Sequence, residues 1–191
     1  MSDSGWKEYF ERTRDKLPRP LLVKALAYVS SRDAAIDLGS GALNDSIFLL
    51  KEGFRKVVAV DKEPVAKEIA EHLPRDQFEY VISPLESFEF PATYDLINAQ
   101  YSLPFIKPGE FDVTFQRIAS AVKEGGILVG QFFGDKDEWR SDSTMNFHTK
   151  ERAVNLLSGL EILLFEEKEN DRPTAAGELK HWHVFDFIVR K

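Results

Sequence analysis

At 191 residues the chain has the size of one domain, and its formal net charge of -7 repels polyanions, so nucleic acid is not an expected partner. The absence of cysteine excludes disulfides, thiolate-bound zinc and a cysteine nucleophile. The start, Met1-Ser2-Asp3-Ser4-Gly5, lacks a basic-then-apolar signal, and no apolar run nears the roughly 20 residues of a membrane span; a cytoplasmic protein without a membrane partner is expected.

Trp6, Tyr9, Phe10 and Thr13 fall at helical spacing over Ser4 to Lys16, until Leu17-Pro18-Arg19-Pro20 breaks the pattern. The aromatic stripe of this helix either packs on the body or caps a ligand crevice. Arg12, Arg14, Lys16 and Arg19 form the one basic cluster, read as a solvated helix end. Pro20 suits the first turn of a second helix, with Leu21, Leu22, Ala25, Leu26 and Val29 on its buried face.

Ala34-Ala35-Ile36-Asp37-Leu38 then reads as a buried strand running into Gly39-Ser40-Gly41 and the start of a helix. Glycines tolerate positive φ and lack Cβ, so a ligand can approach bare backbone there. Lys56 to Val60 is a second strand and ends in Asp61, about 20 residues beyond Gly41, where a doubly wound sheet places a carboxylate for ribose hydroxyls. Two ligands compete for such a crevice. A dinucleotide loop carries a third glycine to admit the pyrophosphate, and here Asn44 stands in that place. S-adenosylmethionine has no phosphate, and its ammonium favours an acid just before the first glycine, where Asp37 stands.

Beyond Asp61, Pro64 to His72 reads as a helix and Gln77 to Ile82 as the third strand. Ser83-Pro84-Leu85-Glu86 has the form of a capping box opening another helix. Tyr94 to Ala99 is the fourth strand, leaving through Gln100-Tyr101-Ser102 on the same sheet edge, so Asn98, Gln100 and Tyr101 are expected to line the pocket. Phe111, Phe115, Ile118, Ala119 and Val122 keep helical spacing up to Gly125-Gly126, and Ile127 to Phe133 is the fifth strand. An insertion loop over 135–148 follows, in which Trp139 either anchors packing or helps close the site. Thr149 caps a helix through Leu157, and Leu160 to Glu167 and His181 to Val189 are two strands joined by a polar loop.

The motif order D-L-G-S-G, V-D, N-A-Q-Y and G-G-I-L-V-G-Q-F-F, closed by a hairpin, resembles the class I S-adenosylmethionine-dependent methyltransferases; the chain is similar to their small bacterial, tellurite-resistance-like kind. The resemblance implies a single domain over 1–191, with N-terminal helices in 1–30 capping the site. It also implies an α/β, Rossmann-like doubly wound sheet of seven strands, ordered 3-2-1-4-5-7-6 with the last strand antiparallel and helices on both faces. Asp37, Gly39, Ser40 and Gly41 would hold the methionine part, and Asp61 and Lys62 the ribose. Relatives often bind adenine through an acid near Pro84, so Ser83 or the backbone around Leu85 takes that contact instead; Asn98 and Tyr9 complete the cofactor set, and Leu43 stands where many relatives carry a further glycine. Asn98-Ala99-Gln100-Tyr101 is similar to the N-P-P-Y of amino methyltransferases without its prolines, and a polar strand end is the alternative.

Methyl transfer from a sulfonium is an in-line displacement, so the protein supplies alignment and a dry pocket, with Trp6, Tyr9, Tyr101 and Phe132 as aromatic candidates around the cation. Tyr101 marks the edge of the transfer site, and His148, His181 or His183 is a candidate base if the acceptor must lose a proton; the alternative for the histidines is hydrogen bonding within a sheet. No third ligand accompanies His181 and His183, so no metal is expected. The expected activity is methyl transfer to a small-molecule acceptor by a monomer or homodimer. A non-catalytic binder of S-adenosylmethionine or S-adenosylhomocysteine and an NAD-type oxidoreductase are the competing readings.

Overall fold

The computed structural model describes residues 10–191. Eight strands form one sheet: β1 (Ala34–Leu38), β2 (Lys56–Asp61), β3 (Phe78–Ile82), β4 (Tyr94–Ala99), β5 (Val122–Gly134), β6 (Phe147–His148), β7 (Glu161–Pro173) and β8 (Leu179–Arg190). Their order is β3-β2-β1-β4-β5-β8-β7, with the two-residue β6 paired to β5 off this path. With β6 set aside, this is the expected seven-strand order. β1 to β5 run parallel, and β8 lies antiparallel between β5 and β7.

The parallel strands read as continuous apolar runs because both faces of the sheet are covered. Ile36, Leu38, Val60, Ile97, Leu128 and Phe132 face one core with Phe111, Phe115 and Ile118 of α4 (Phe111–Ser120). Ala35, Val57, Ala59, Leu96, Ile127 and Val129 face the other. Leu22 of α1 (Pro20–Ala25) and Leu49 of α2 (Asn44–Lys51) pack on that second face. The helix after β1 and the helix after β4 therefore cover opposite faces. That divergence opens a crevice at the carboxyl ends of these two neighbouring strands.

Several local expectations are corrected. No helix follows Ser83-Pro84-Leu85-Glu86: the Glu86 carboxylate accepts Lys107 N (2.6 Å) rather than turning back as a cap, and the Arg117 guanidinium donates to the carbonyls of Leu85, Glu86 and Phe88. The helix before β5 stops at Ser120, and Val122 already pairs with Tyr94. The closing hairpin is longer than its polar sequence suggests, because β8 pairs with charged residues of β7 through contacts such as Lys168 Nζ to Asp186 Oδ2 (2.5 Å), which leaves only 174–178 between the strands. Within 135–148, Asp137 caps a short 3-10 turn by accepting Trp139 N (3.0 Å), and the segment ends in β6. Thr149 caps α5 (Lys150–Leu156) as expected, accepting Arg152 N, whereas Pro64 to His72 divides into a 3-10 turn and α3 (Lys67–Glu71).

Gly39 and Gly41 both have positive φ but differ in surroundings. A Cβ on Gly39 would lie 2.5 Å from Ser102 Cβ, whereas one on Gly41 would meet nothing within 4 Å. Gly39→Ala is therefore expected to cost about 2–5 kcal/mol from left-handed strain plus overpacking. Gly41→Ala should cost only the strain, about 1–2 kcal/mol. Denaturant unfolding of the two variants side by side checks the ranking.

Candidate active site

The crevice opens into a cavity of about 750 Å³, within the roughly 300–1,000 Å³ of small-molecule sites. Its near end is built by the loops after β1, β2 and β3, which contribute Gly39, Ser40, Gly41, Asp45, Asp61, Lys62, Ser83 and Leu85. The backbone of the glycine loop is internally committed. Gly39 N and Ser40 N donate to Val60 O (2.8 and 3.1 Å), Leu43 N to Ser40 O (2.9 Å), and Gly41 N to Asp61 Oδ2 (2.8 Å). Leu43, fully buried, holds φ +62 without the glycine that this conformation favours. Ser40 Oγ is buried without a partner. Asp61 Oδ1 accepts Glu63 N (2.9 Å), and burial pushes the Asp61 carboxyl up against the pull of these backbone donors.

Beneath the loop lies a buried polar chain. Asp37 accepts Ser46 Oγ (2.6 Å) and Asn98 Nδ2 (2.8 Å), and Asn98 Nδ2 also reaches Asp45 Oδ2 (3.1 Å). Gln100 Nε2 donates to Asn98 Oδ1 (2.8 Å), Gln131 Nε2 to Gln100 Oε1 (3.2 Å), and Tyr101 N to Gln131 Oε1 (3.1 Å). The chain thus ends by holding Tyr101 at φ +55. Asp45, only 2% exposed, accepts a hydrogen bond from Arg19 N (2.9 Å) and is ion-paired with Arg19 Nη1 (2.8 Å). Burial, and then the neighbouring Asp45 carboxylate, push Asp37 up to about 7.

The far end is aromatic. Tyr101, Phe133 and Trp182 meet edge to face, with centroids 5.7 to 6.3 Å apart, and Phe105 and Trp139 extend the wall. Behind it, the Lys180 ammonium lies 3.7 Å from the Trp182 centroid and 4.3 Å from that of Trp139. It also bonds both oxygens of buried Asp137 (2.5 and 2.6 Å). Burial pushes the Lys180 pKa down while Asp137 opposes it. Arg172 stacks 5.1 Å over Trp182 and donates to Tyr101 Oη (2.9 Å).

The roof comes from both ends of the described chain. Phe10, Arg12, Thr13, Lys16, Leu17 and Arg19 line the cavity, so three members of the basic cluster face it rather than bulk solvent alone. Arg12 Nη1 donates to Ala176 O of the β7–β8 turn (2.8 Å), and Asn44 Nδ2 to Thr13 O (2.8 Å). Trp6 and Tyr9 lie outside the described residues.

Other expected site residues fall elsewhere. Asn98 and Gln100 are buried under the floor instead of lining it. Phe132 stacks on Phe187 in the core (4.7 Å), and the next residue, Phe133, is the wall. None of the three histidines proposed as bases is on the wall. His148 sits on β6 against Phe111 (4.8 Å), where burial pushes it down to about 4. His181 is held by Asp171 (2.6 Å), which raises its pKa, and His183 bridges Lys136 N (3.1 Å) and Glu167 (3.0 Å). His72 is exposed, with Nδ1 on Glu68 O (2.7 Å). Among the described residues Glu167, Glu169 and His183 cluster closely enough to hold a cation, but Lys150 and Lys136 already occupy those carboxylates (3.0 and 2.7 Å). Asp45, Phe133, Arg172 and Trp182 are wall residues that the sequence did not single out, and Arg19, expected only in a solvated basic cluster, joins them. Only Asp45 had a sequence signal, as an acid in the first turn of the helix after the glycine loop.

Residues 35–126 match the family described as a methyltransferase domain. No curated protein matches the chain in sequence. Among solved structures, TehB from Haemophilus influenzae superposes with a TM-score of 0.78 at 16% identity, over 97% of this chain and 67% of that one. NodS, an N-methyltransferase from Bradyrhizobium japonicum solved with S-adenosylhomocysteine, gives 0.66 at 14% identity over 96% and 97%. The Burkholderia thailandensis 1,6-didemethyltoxoflavin-N1-methyltransferase, solved with its namesake and S-adenosylhomocysteine, gives 0.65 at 19% identity over 91% and 77%. Residues 35–126 thus match a methyltransferase-domain family, within a chain whose strand order is that of the class I S-adenosylmethionine-dependent methyltransferase fold.

Proposed function

We propose that the protein transfers a methyl group from S-adenosylmethionine to a small-molecule acceptor. The observation that carries this reading is the electrostatics of the near end. Two buried carboxylates, Asp37 and Asp45, face one guanidinium, Arg19, and four backbone N–H groups of the glycine loop already have acceptors. A pyrophosphate needs free N–H groups and positive potential. An ammonium meets favourable charge here, which favours S-adenosylmethionine over a dinucleotide.

The residues present fit that donor. The unpartnered Ser40 Oγ and the open space over Gly41 would receive its methionine part, above Asp37 and Asp45. Asp61 retains lone pairs for ribose hydroxyls beside Lys62, and Ser83 and Leu85 would flank the adenine. Asn98 acts from below by fixing Asp37. When bound, S-adenosylmethionine supplies an electrophilic methyl on a sulfonium sulfur. The chain's own part is alignment and exclusion of water: Tyr101, pinned through Gln131, closes one side, and the rings of Phe133 and Trp182 another. No histidine is among the described wall residues, which suits an acceptor that reacts without an imidazole base.

Calorimetric titration with S-adenosylmethionine, S-adenosylhomocysteine and NADH tests the donor. The first two should bind and NADH should not, and Asp61→Ala should weaken S-adenosylhomocysteine by about 10–100-fold, the worth of a charge-assisted hydrogen bond. NADH binding alone overturns the reading. Incorporation of labelled methyl groups into the low-molecular-weight fraction of a cell extract, rather than into protein or nucleic acid, checks the acceptor.

Asp37 also makes a pH prediction. Its folded pKa, about 7, lies above the ordinary 3.8, so between these values the folded state binds more protons than the unfolded one. Stability from this group accordingly falls as pH rises from about 4 through about 7. Asp37→Asn, which keeps an acceptor for Asn98, should gain stability relative to the parent across that window, as read from unfolding midpoints at each pH.

A further inference from the structure

We infer that the far end of the cavity is an anchoring site for the carboxylate of a flat aromatic acid, with Arg172 and Thr174 as its polar contacts. Calling that ligand the methyl acceptor rests on the proposed function; the anion site itself does not.

Arg172 stands near the end of β7, where its backbone carbonyl accepts Trp182 Nε1 (3.0 Å) and its guanidinium stacks on the same indole (5.1 Å). One guanidinium N–H goes to Tyr101 Oη (2.9 Å). No carboxylate pairs with it among the described residues, and a guanidinium has five donors in a fork that matches a carboxylate. Two residues further on, Thr174 Oγ1 is buried with no partner, and Thr174 also lines the cavity. An orphaned hydroxyl two residues along the chain from this arginine, with both residues lining one cavity, leaves two polar groups for a ligand to satisfy.

The rings decide the rest of the ligand. Tyr101, Phe133 and Trp182 are fixed against one another, giving flat apolar surface next to the guanidinium. Trp182 and Trp139 already hold the Lys180 ammonium, itself paired with Asp137, against their faces, so a cationic ligand would find little aromatic attraction left to gain and would meet the Arg172 guanidinium. Asp171, next to Arg172 in sequence, is turned to His181 and does not line the cavity, and Glu178, the lining acid from this hairpin, is exposed on the turn, where water screens it. Amine acceptors are disfavoured by this arrangement, and aromatic carboxylates favoured.

The test is calorimetric titration, with and without saturating S-adenosylhomocysteine, of benzoate, 4-hydroxybenzoate and indole-3-carboxylate beside benzamide, 4-hydroxybenzamide, indole-3-carboxamide and tyramine. At least one carboxylate should bind ten times more tightly than its own amide and than tyramine. Arg172→Gln should abolish that preference while leaving S-adenosylhomocysteine affinity within twofold, and Arg172→Lys should recover part of it. Carboxylates that bind no better than their amides, or fail to bind, overturn the inference, as does an Arg172→Gln protein that weakens acids and amides equally. If S-adenosylhomocysteine fails to bind while the Arg172-dependent preference for acids remains, the donor assignment falls and the anion site stands.

Discussion

One buried hydrogen bond, from Asn98 Nδ2 to Asp37 Oδ1, joins the two halves of the sheet where they part. Asp37 and Asn98 are register partners at the ends of β1 and β4, and the helices that follow these strands leave toward opposite faces. A crevice there has no helix to floor it, so side chains must. They do so as a continuous polar chain in which each amide satisfies the next, from Ser46 through Asp37, Asn98, Gln100 and Gln131 to the backbone of Tyr101. Such a chain is stable in a low-dielectric interior only when every member is paired. The position of Tyr101 at one end of the cavity is therefore coupled to the acid at the other.

The two ends of the cavity differ in the physics they offer. Near the glycine loop the backbone is self-satisfied and the charge is acidic, with Asp37 and Asp45 sharing Arg19. At the far end cations lie on rings: Lys180, paired with Asp137, behind Trp139 and Trp182, Arg172 over Trp182, and Arg19 at 5.7 Å over Tyr101. Arg19 thus belongs to both, pairing Asp45 with its guanidinium while that same group faces the Tyr101 ring. A cation is welcome at one end and an anion at the other, with about 750 Å³ between the walls.

The near end was legible because each of its parts has a local signature. Gly39 and Gly41 are required by positive φ, and the spacing from Gly41 to Asp61 follows from one strand-helix-strand unit, so the hydrogen bond between those two residues closes a distance that the sequence already implies. The far end draws on segments distant in sequence, 101–105, 133–139 and 172–182, whose convergence depends on β8 inserting between β5 and β7. Phe132 and Phe133 show why pattern alone fails there. Both are 1% exposed, so nothing in the sequence marks which of the two faces a core and which a cavity. Arg172 looked like part of a polar loop, since a charged edge strand has a loop's composition; only its pairing with Lys180 across the hairpin reveals a strand. His148 lies off the cavity wall for a related reason: a histidine after a polar stretch gives no hint that β6 will press it against Phe111 and Phe132.

That charged edge has a further effect. Among the described residues β7 ends the sheet, which leaves its outer row of backbone donors and acceptors without a strand partner. Exposed edges of this length template aggregation unless charge opposes it. Glu166, Glu167, Lys168, Glu169, Asp171 and Arg172 occupy the strand, four of the six being acids, and several are tied to β8 or neighbouring segments through Asp186, His183, His181 and Lys136. A second copy adding its own β7 here would set like charges against one another and desolvate ion pairs already made. The charges on the strand that carries Arg172 to the cavity thereby also oppose sideways growth of the sheet.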